Sequence, residues 1–126
     1  FLGHPVGCAM ALAQIGEIRR LKLCERSARL GAFLISELTK FPSLKSEVIR
    51  RVRGAGLMVG LELRNADGSP ATAKSLQVIK AMLRHGFILL PEGAHGNVIS
   101  FTPPLTITEA QLIGMVSALQ KVLLGE

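Results

Sequence analysis

Histidines are the first candidates for chemistry in this chain, because an imidazole can bind a metal or carry a proton near neutral pH. The three histidines are His4, His85 and His95, and they lie too far apart in sequence for a local metal site. His85 suits the C-terminal end of a helix. His95 lies in a glycine-rich loop, where it either contacts a ligand or stays solvated. The spacing of the histidines therefore predicts no metal centre.

Three arginines, Arg50, Arg51 and Arg53, form the densest group of charges in the sequence. Such a group either binds an anion or the acidic face of a partner, or protects an edge strand from aggregation. The formal net charge of +6 at pH 7 would also suit an independent module that binds RNA. Tyr and Trp are absent, however, so few rings are present to stack on bases. We therefore predict a solvated basic surface and no nucleic-acid partner.

Motifs of nucleophilic and nucleotide chemistry are missing from the sequence. It contains no nucleophile elbow, no GxxxxGK[ST] loop and no GxGxxG fingerprint. The glycines of RGAGLMVG precede a predicted strand, whereas a dinucleotide fingerprint opens a helix. None of the nine acidic residues forms an obvious local pair. The residues alone predict no self-contained active site.

Length and composition predict one domain with a large apolar surface. The chain has 126 residues, of which 48% are hydrophobic, but no apolar run reaches the length of a membrane span. Its N-terminus lacks the pattern of a targeting peptide. Cys8 and Cys24 have no metal-binding or redox spacing, so we expect buried, reduced thiols and a cytoplasmic protein without a membrane partner.

Four segments with helical periodicity must position any site. Three of them cover about 5–22, 23–40 and 70–85, and the last follows Thr108 and has an apolar stripe that reaches Leu123. Pro5 suits the first position of a helix, where its missing N–H is not needed, and this helix is crowded with small residues. Pro42 and Ser43 are expected to end the second helix. Gly86 is expected to follow the end of the third.

Alternating hydrophobicity predicts strands over 48–53 and 57–63, with Gly54, Ala55 and Gly56 forming a turn or bulge between them. Two short apolar runs, 87–90 and 97–101, predict two further strands. The element order is then ααββαββα. We expect an α+β fold in which helices cover a small, three- to four-stranded, mostly antiparallel sheet.

The strongest local signal precedes the last helix. Thr108 and Gln111 have the spacing of a capping box, in which each side chain bonds to the other residue's backbone N–H. Ile107 and Leu112 stand at the positions of a hydrophobic staple. The sequence therefore predicts a helix that begins after Thr108.

Three segments, FLGHPVGCAMALAQI, VRGAGLMVGLEL and HGNVISFTPPLTITEAQL, resemble class III pyridoxal-phosphate-dependent aminotransferases in their order and separation. That family includes enzymes acting on 4-aminobutyrate, ornithine and acetylornithine. The resemblance extends from Phe1 to Leu124. It implies that the parent protein moves an amino group from an amine or amino acid to a 2-oxo acid. A decarboxylase, racemase or aminomutase on the same scaffold is the alternative.

The resemblance further implies that residues 1–126 form the C-terminal small domain of a longer enzyme. Residues 1–22 would be a long connecting helix, and residues 23–126 the α+β domain. Its partners would be a large cofactor-binding domain and a second subunit of a homodimer. The domain would supply a substrate-binding wall and a closing surface.

The catalytic residues implied by the resemblance lie outside this chain. A Thr that contacts the cofactor phosphate is expected just before Phe1, and the lysine that binds pyridoxal 5′-phosphate is expected further upstream. We therefore predict no catalytic, cofactor-binding or metal-binding residue here. The isolated chain is predicted to be inactive and to bind no cofactor.

Ser100 departs from the family pattern. Many members have an Arg at the position of Ser100, and its guanidinium holds a substrate carboxylate with two parallel hydrogen bonds. A serine cannot replace that charge. Ser100 is therefore our one candidate substrate-binding residue, and two alternatives stay open. Either the parent enzyme does not hold a carboxylate at this position, or Ser100 faces away from the site.

Overall fold

The computed structural model of the chain describes residues 3–41 and 48–125 and contains four helices and four strands in the predicted order ααββαββα. The helices are α1 (Pro5–Arg20), α2 (Leu23–Thr39), α3 (Thr72–Arg84) and α4 (Glu109–Leu124). The strands are β1 (Val48–Ala55), β2 (Met58–Asn65), β3 (Leu90–Glu92) and β4 (Val98–Phe101). The predicted α+β class is confirmed. Pro42 and Ser43, which we expected to end α2, lie outside the described residues.

The four strands form one antiparallel sheet in the order β1-β2-β4-β3. One face of the sheet packs against helices and contributes Val59, Leu61, Leu63, Ile99 and Phe101 to the core. Alternation along the strands sends the residues between them to the opposite side, which we call the open face. Met58, Gly60 and Glu62 therefore lie opposite the core residues of β2.

Close backbone contact joins α2 to the β1–β2 turn. A Cβ added to Gly31 would lie 1.9 Å from the carbonyl oxygen of Gly56. Gly56 has a φ of 54°, a conformation that glycine adopts without strain. The Ser27 hydroxyl accepts a hydrogen bond from the Leu57 amide at 3.0 Å. Small residues therefore fix the position of α2 on the sheet, with Leu30 and Leu34 fully buried beneath it.

Helix α1 buries none of its residues within the described part of the chain. The His4 imidazole caps its N-terminus, because Nδ1 accepts a hydrogen bond from the Gly7 amide at 3.2 Å. Our prediction of buried thiols is wrong, since Cys8 and Cys24 are both exposed. Cys8 lies on α1, which has no buried residue, and Cys24 lies on the outward side of α2, away from its core stripe.

The third predicted strand is misplaced. Of residues 87–90 only Leu90 belongs to β3, which continues through Pro91 to Glu92. The Phe87 amide still donates to the carbonyl of Met82 in α3, and Ile88 is 80% exposed. Pairing with β4, and not hydrophobicity along the chain, therefore determines where β3 begins.

Helix α4 begins as predicted. The Thr108 hydroxyl accepts from the Gln111 amide at 3.2 Å, and the Gln111 carboxamide oxygen accepts from the Thr108 amide at 2.9 Å. Leu112 is buried, and Ile107 packs against the same core. Within residues 3–41 and 48–125, none of the helices combines the length and hydrophobicity of a bilayer-spanning segment.

Candidate functional site

A concave pocket of about 480 Å³ lies at the end of β4, beside the start of β3. Its walls are mostly apolar, and its lining residues come from α2 and α4, from β3 and the residues just before it, from β4, and from the loop between β4 and α4. They include Leu34, Leu90, Ser100, Pro104, Ile107 and Met115. Pockets of this volume and character hold small molecules in many proteins. We therefore take this pocket as the candidate functional site.

Arg26 holds the loop that forms one wall of the pocket. Its Nε donates to the carbonyl oxygen of Leu105 at 3.2 Å, and its Nη2 donates to the carbonyls of Thr106 at 3.3 Å and of Ile107. The Arg29 guanidinium also contacts the Glu109 carboxylate at 3.1 Å. Helix α2 therefore anchors the part of the loop that leads directly into α4.

Ser100 is half-buried and lines the pocket. It pairs with Gly60 on one side and with Leu90 on the other. Directly paired residues of antiparallel strands point to the same face of a sheet. Because Ile99 and Phe101 belong to the core, Ser100 lies on the open face.

The same row of the open face continues to β1, because Gly60 also pairs with Arg53. From β1 to β3 the row reads Arg53, Gly60, Ser100, Leu90. Arg50, Arg51 and Arg53 thus lie on an edge strand, which agrees with the interpretation that these charges protect such a strand from aggregation. The register also places Arg53 in line with Ser100, which the sequence did not indicate.

Glu62 is the buried carboxylate of the open face, with a side chain that is 8% exposed. The Arg64 guanidinium contacts it at 2.7 Å, and Arg53 Nη1 lies farther away, 3.4 Å from Oε2. The hydrogen bond from Arg64, strengthened by the positive charges of Arg64, Arg53 and Arg51, holds the pKa of Glu62 below its ordinary value. Glu62 is therefore ionised at neutral pH and joins neighbouring arginines on β1 and β2.

The three histidines do not come together in the structure. His4 caps α1, His85 ends α3, and His95 is an exposed loop residue whose backbone carbonyl accepts a hydrogen bond from the Thr72 hydroxyl at 2.6 Å. Among the described residues, no group of three His, Cys, Asp or Glu side chains could hold a metal ion.

Sequence reasoning missed Arg26, Gly60 and Glu62. The contacts of Arg26 span 79 to 81 residues, so no local pattern reports them. Glycine inside a predicted strand was the available signal for Gly60, because it often marks close approach of another group.

The described residues do not by themselves form a site for pyridoxal phosphate. None of the described lysines lines the pocket, whose polar contributions include Ser100, Thr102 and Gln111. The pocket lining therefore supplies neither a cation for a phosphate group nor an amine that could form an imine.

Residues 1–123 match the family model described as Aminotransferase class-III. The chain is 35% identical over 114 residues, 90% of its length, to a 2-aminoadipate transaminase of Pseudomonas putida. It is 36% identical over 121 residues, 94% of its length, to an alanine–glyoxylate aminotransferase 2 homolog of Arabidopsis thaliana. These matches cover 27% and 25% of the two relatives, so the chain spans about a quarter of their length.

Similarity of fold accompanies the similarity of sequence. A crystal structure of a transaminase from the marine bacterium Virgibacillus superposes with a TM-score of 0.85 at 31% identity. The match covers 98% of this chain and 29% of that protein.

Proposed function

The chain belongs to the class-III aminotransferase family, and we propose that the protein carrying it transfers an amino group from an amine or amino acid to a 2-oxo acid. The activities for which the Pseudomonas and Arabidopsis relatives are named support this proposal, because both are amino-group transfers. The relatives are about four times as long as the matched region. We therefore propose that the chain is the small domain of a longer enzyme, in which α1 is the connecting helix and a large domain is its partner.

The cofactor that the family implies is pyridoxal 5′-phosphate. Since the pocket offers it neither a lysine nor an anion-binding group, we assign its binding to residues outside the described part of the chain. The described part would contribute a wall of the substrate site. A homodimer and a cytoplasmic location complete the proposal.

The proposed substrate preference rests on the position and chemistry of Ser100. It lies at an apolar pocket and brings no charge to the position where many family members have an arginine. A carboxylate placed there would lose its hydration without gaining a charged partner, which is unfavourable. We infer that donors without a carboxylate at this position, such as simple amines, fit the site.

The experiment compares two donors that differ only in one group, 4-aminobutyrate and butylamine, with pyruvate as acceptor and added cofactor. In the complete protein carrying this chain, we expect transamination of butylamine. Ser100→Arg should shift the ratio of kcat/KM about tenfold toward 4-aminobutyrate, because a bidentate guanidinium–carboxylate contact is worth at least that much. Ser117→Arg, which adds the same charge on the exposed side of α4, is the matched control.

The two parts of the proposal fail separately. Absence of transamination from every amine and amino acid donor tested would reject the aminotransferase function. Transamination with a donor preference that Ser100→Arg leaves unchanged would show instead that position 100 does not select the substrate.

A further inference from the structure

The pocket at the end of β4 becomes more polar from its floor to its rim. The floor consists of apolar lining residues that are no more than 7% exposed, namely Leu34, Phe101, Leu112 and Met115. The polar lining residues lie nearer the solvent, since Ser100 is half-buried and Thr102 and Gln111 are exposed. A molecule with one polar and one apolar end therefore binds here with its apolar end inward.

We propose that this pocket binds the hydrocarbon tail of the amino donor, and that the donor is a primary monoamine with an uncharged tail longer than that of butylamine. The amine stays at the rim beside Ser100, where residues outside the described part of the chain can reach it. The inference rests on the proposed function for the identity of the ligand. It extends that function by assigning the length and the charge of the donor's tail.

A charge at the far end of the tail would have no partner in the pocket. Among the described residues, none of those that line it carries a charge. An ammonium or a carboxylate that enters such a pocket loses its hydration and gains no ionic partner, and this cost opposes the favourable burial of the hydrocarbon. Diamines and ω-amino acids should therefore bind less tightly than monoamines of the same length.

The size of the pocket favours a tail longer than a butyl chain. A methylene group takes up about as much space as a water molecule, roughly 30 Å³. A butyl chain therefore fills only part of the pocket's volume of about 480 Å³. Each methylene group that moves from water to apolar surroundings strengthens binding about three- to fourfold. Affinity should thus rise with tail length until the tail reaches the floor.

Apolar side chains at the rim extend the surface against which the tail can pack. Ile88 and Leu90 line the pocket and are 80% and 54% exposed, so water covers much of both side chains. A ligand that covers them removes apolar surface from water, which favours binding.

The wall that contains Ile107 is formed before any ligand binds. Arg26 fixes this segment through hydrogen bonds to the carbonyls of Leu105 and Ile107, and the preceding Pro103 and Pro104 have restricted φ angles. A ligand does not have to order this wall, so less of the binding free energy is lost to ordering.

Two pairs of compounds test the tail in the complete protein. Butylamine and hexylamine serve as donors, with pyruvate as acceptor and added cofactor. Butan-1-ol and hexan-1-ol, which cannot be transaminated, are titrated by ligand-observed NMR. We expect kcat/KM to be about tenfold higher for hexylamine than for butylamine, and hexan-1-ol to bind about tenfold more tightly than butan-1-ol. Hexane-1,6-diamine and 6-aminohexanoate, whose far ends are charged, should lose that gain.

Substitutions at the floor and the rim distinguish this pocket from other apolar surfaces. Met115→Gln nearly keeps the size of the side chain but makes it polar, so the advantage of hexan-1-ol should fall to about threefold. Met115→Leu keeps the floor apolar and should retain the advantage. Ile88→Ala should weaken hexan-1-ol about threefold, since a rim contact is lost. Ile113→Ala, at an exposed isoleucine of α4 outside the pocket, is its matched control.

Thermal unfolding of each variant checks that the fold persists. Ile88 is exposed, so its replacement should leave the fold intact. The comparison of Ile88→Ala with Ile113→Ala therefore decides the matter even if Met115→Gln does not fold.

Equal affinity for butan-1-ol and hexan-1-ol would overturn the proposal, and it is the result expected if another segment of the complete protein fills the pocket. Equal losses from Ile88→Ala and Ile113→Ala would also overturn it, because the alcohols would then bind elsewhere. Preference for the longer alcohol that depends on Ile88, in a protein that transaminates nothing, would keep the hydrocarbon site and reject the proposed function. Transamination without any preference for tail length would do the reverse.

Discussion

Gly31 shows how one missing side chain determines the placement of a helix. Its Cα faces the β1–β2 turn so closely that an added Cβ would overlap the carbonyl group of Gly56. The Cβ would lie 1.9 Å from the carbonyl oxygen and 2.2 Å from the carbonyl carbon. The contact is backbone on both sides, so no rotamer change can relieve it. Either α2 or the turn has to move, and the hydrogen bond from the Leu57 amide to Ser27 would be stretched with it.

We therefore expect Gly31→Ala to lower the free energy of unfolding by about 2–3 kcal/mol, the cost of overpacking a tight interior site. Gly16→Ala is the matched control, because it is also a helical glycine and a Cβ there meets nothing within 4 Å. That variant should be neutral or up to about 1 kcal/mol more stable, owing to the higher helix propensity of alanine. Chemical denaturation of both variants measures the difference, and equal stabilities would show that the α2–turn contact is looser than described.

At the scale of elements, α2 and the loop before α4 are connected through Arg26. The loop contains two successive prolines, Pro103 and Pro104, which offer no N–H of their own for a regular hydrogen-bonding pattern. Arg26 binds three consecutive carbonyls that follow them, at Leu105, Thr106 and Ile107. One side chain thus fixes the wall of the pocket relative to the helix that carries Leu34.

Arg26→Met keeps the apolar stem and removes every donor. We expect a loss of about 2 kcal/mol in unfolding free energy, since hydrogen bonds from a charged group contribute more than neutral ones. Hydrogen exchange at the Ile107 amide, which donates to Pro104, should accelerate. Arg29→Met breaks only the exposed contact to Glu109 and should cost less than about 1 kcal/mol. The same loss in both variants would mean that Arg26 acts as an ordinary surface cation.

Elements with local signals were predictable from the sequence, and elements defined by distant partners were not. Helix α4 carries its own start signal in Thr108 and Gln111, and the structure reproduces it. The start of β3 depends on pairing between Leu90 and Ser100, ten residues apart across a loop, so the apolar run 87–90 misplaced it. The alignment of Arg53 with Ser100 depends on two successive strand pairings, which no sequence periodicity contains.

At the scale of the molecule, the sheet separates two environments. Its helix-covered face holds the core, and its open face holds arginines arranged around Glu62. The prediction for Cys8 failed at this scale, because helical periodicity indicates which face of a helix is apolar but not whether another element covers it. Helix α1 has apolar residues such as Met10 and Leu12 that are 68% and 71% exposed. Burial is a property of the assembled layers and cannot be deduced from one helix.

The ionisation of Glu62 on the open face makes the free energy of unfolding depend on pH. Its pKa is lowered in the folded state from an ordinary value of 4.5, chiefly by the hydrogen bond from Arg64. A carboxyl with a depressed folded-state pKa binds protons more readily when unfolded. Its contribution is therefore fully present above pH 4.5 and is lost as the pH falls through the lower folded-state value.

We accordingly expect the unfolding free energy to fall on acidification from pH 6 to about pH 3. Glu62→Gln should make that fall smaller by about 1.5 kcal/mol, which is the contribution of a hydrogen bond to a charged group. Denaturant titrations at several pH values measure it. Glu17→Gln is the control: Arg20 also lowers the pKa of Glu17, but this pair lies exposed on α1, where water screens it. If removing Glu17 flattened the pH profile as much as removing Glu62, acid sensitivity would come from surface charge in general. If only Glu62→Gln flattens it, the acid sensitivity comes from the carboxylate that joins Arg53 of β1 to Arg64 of β2.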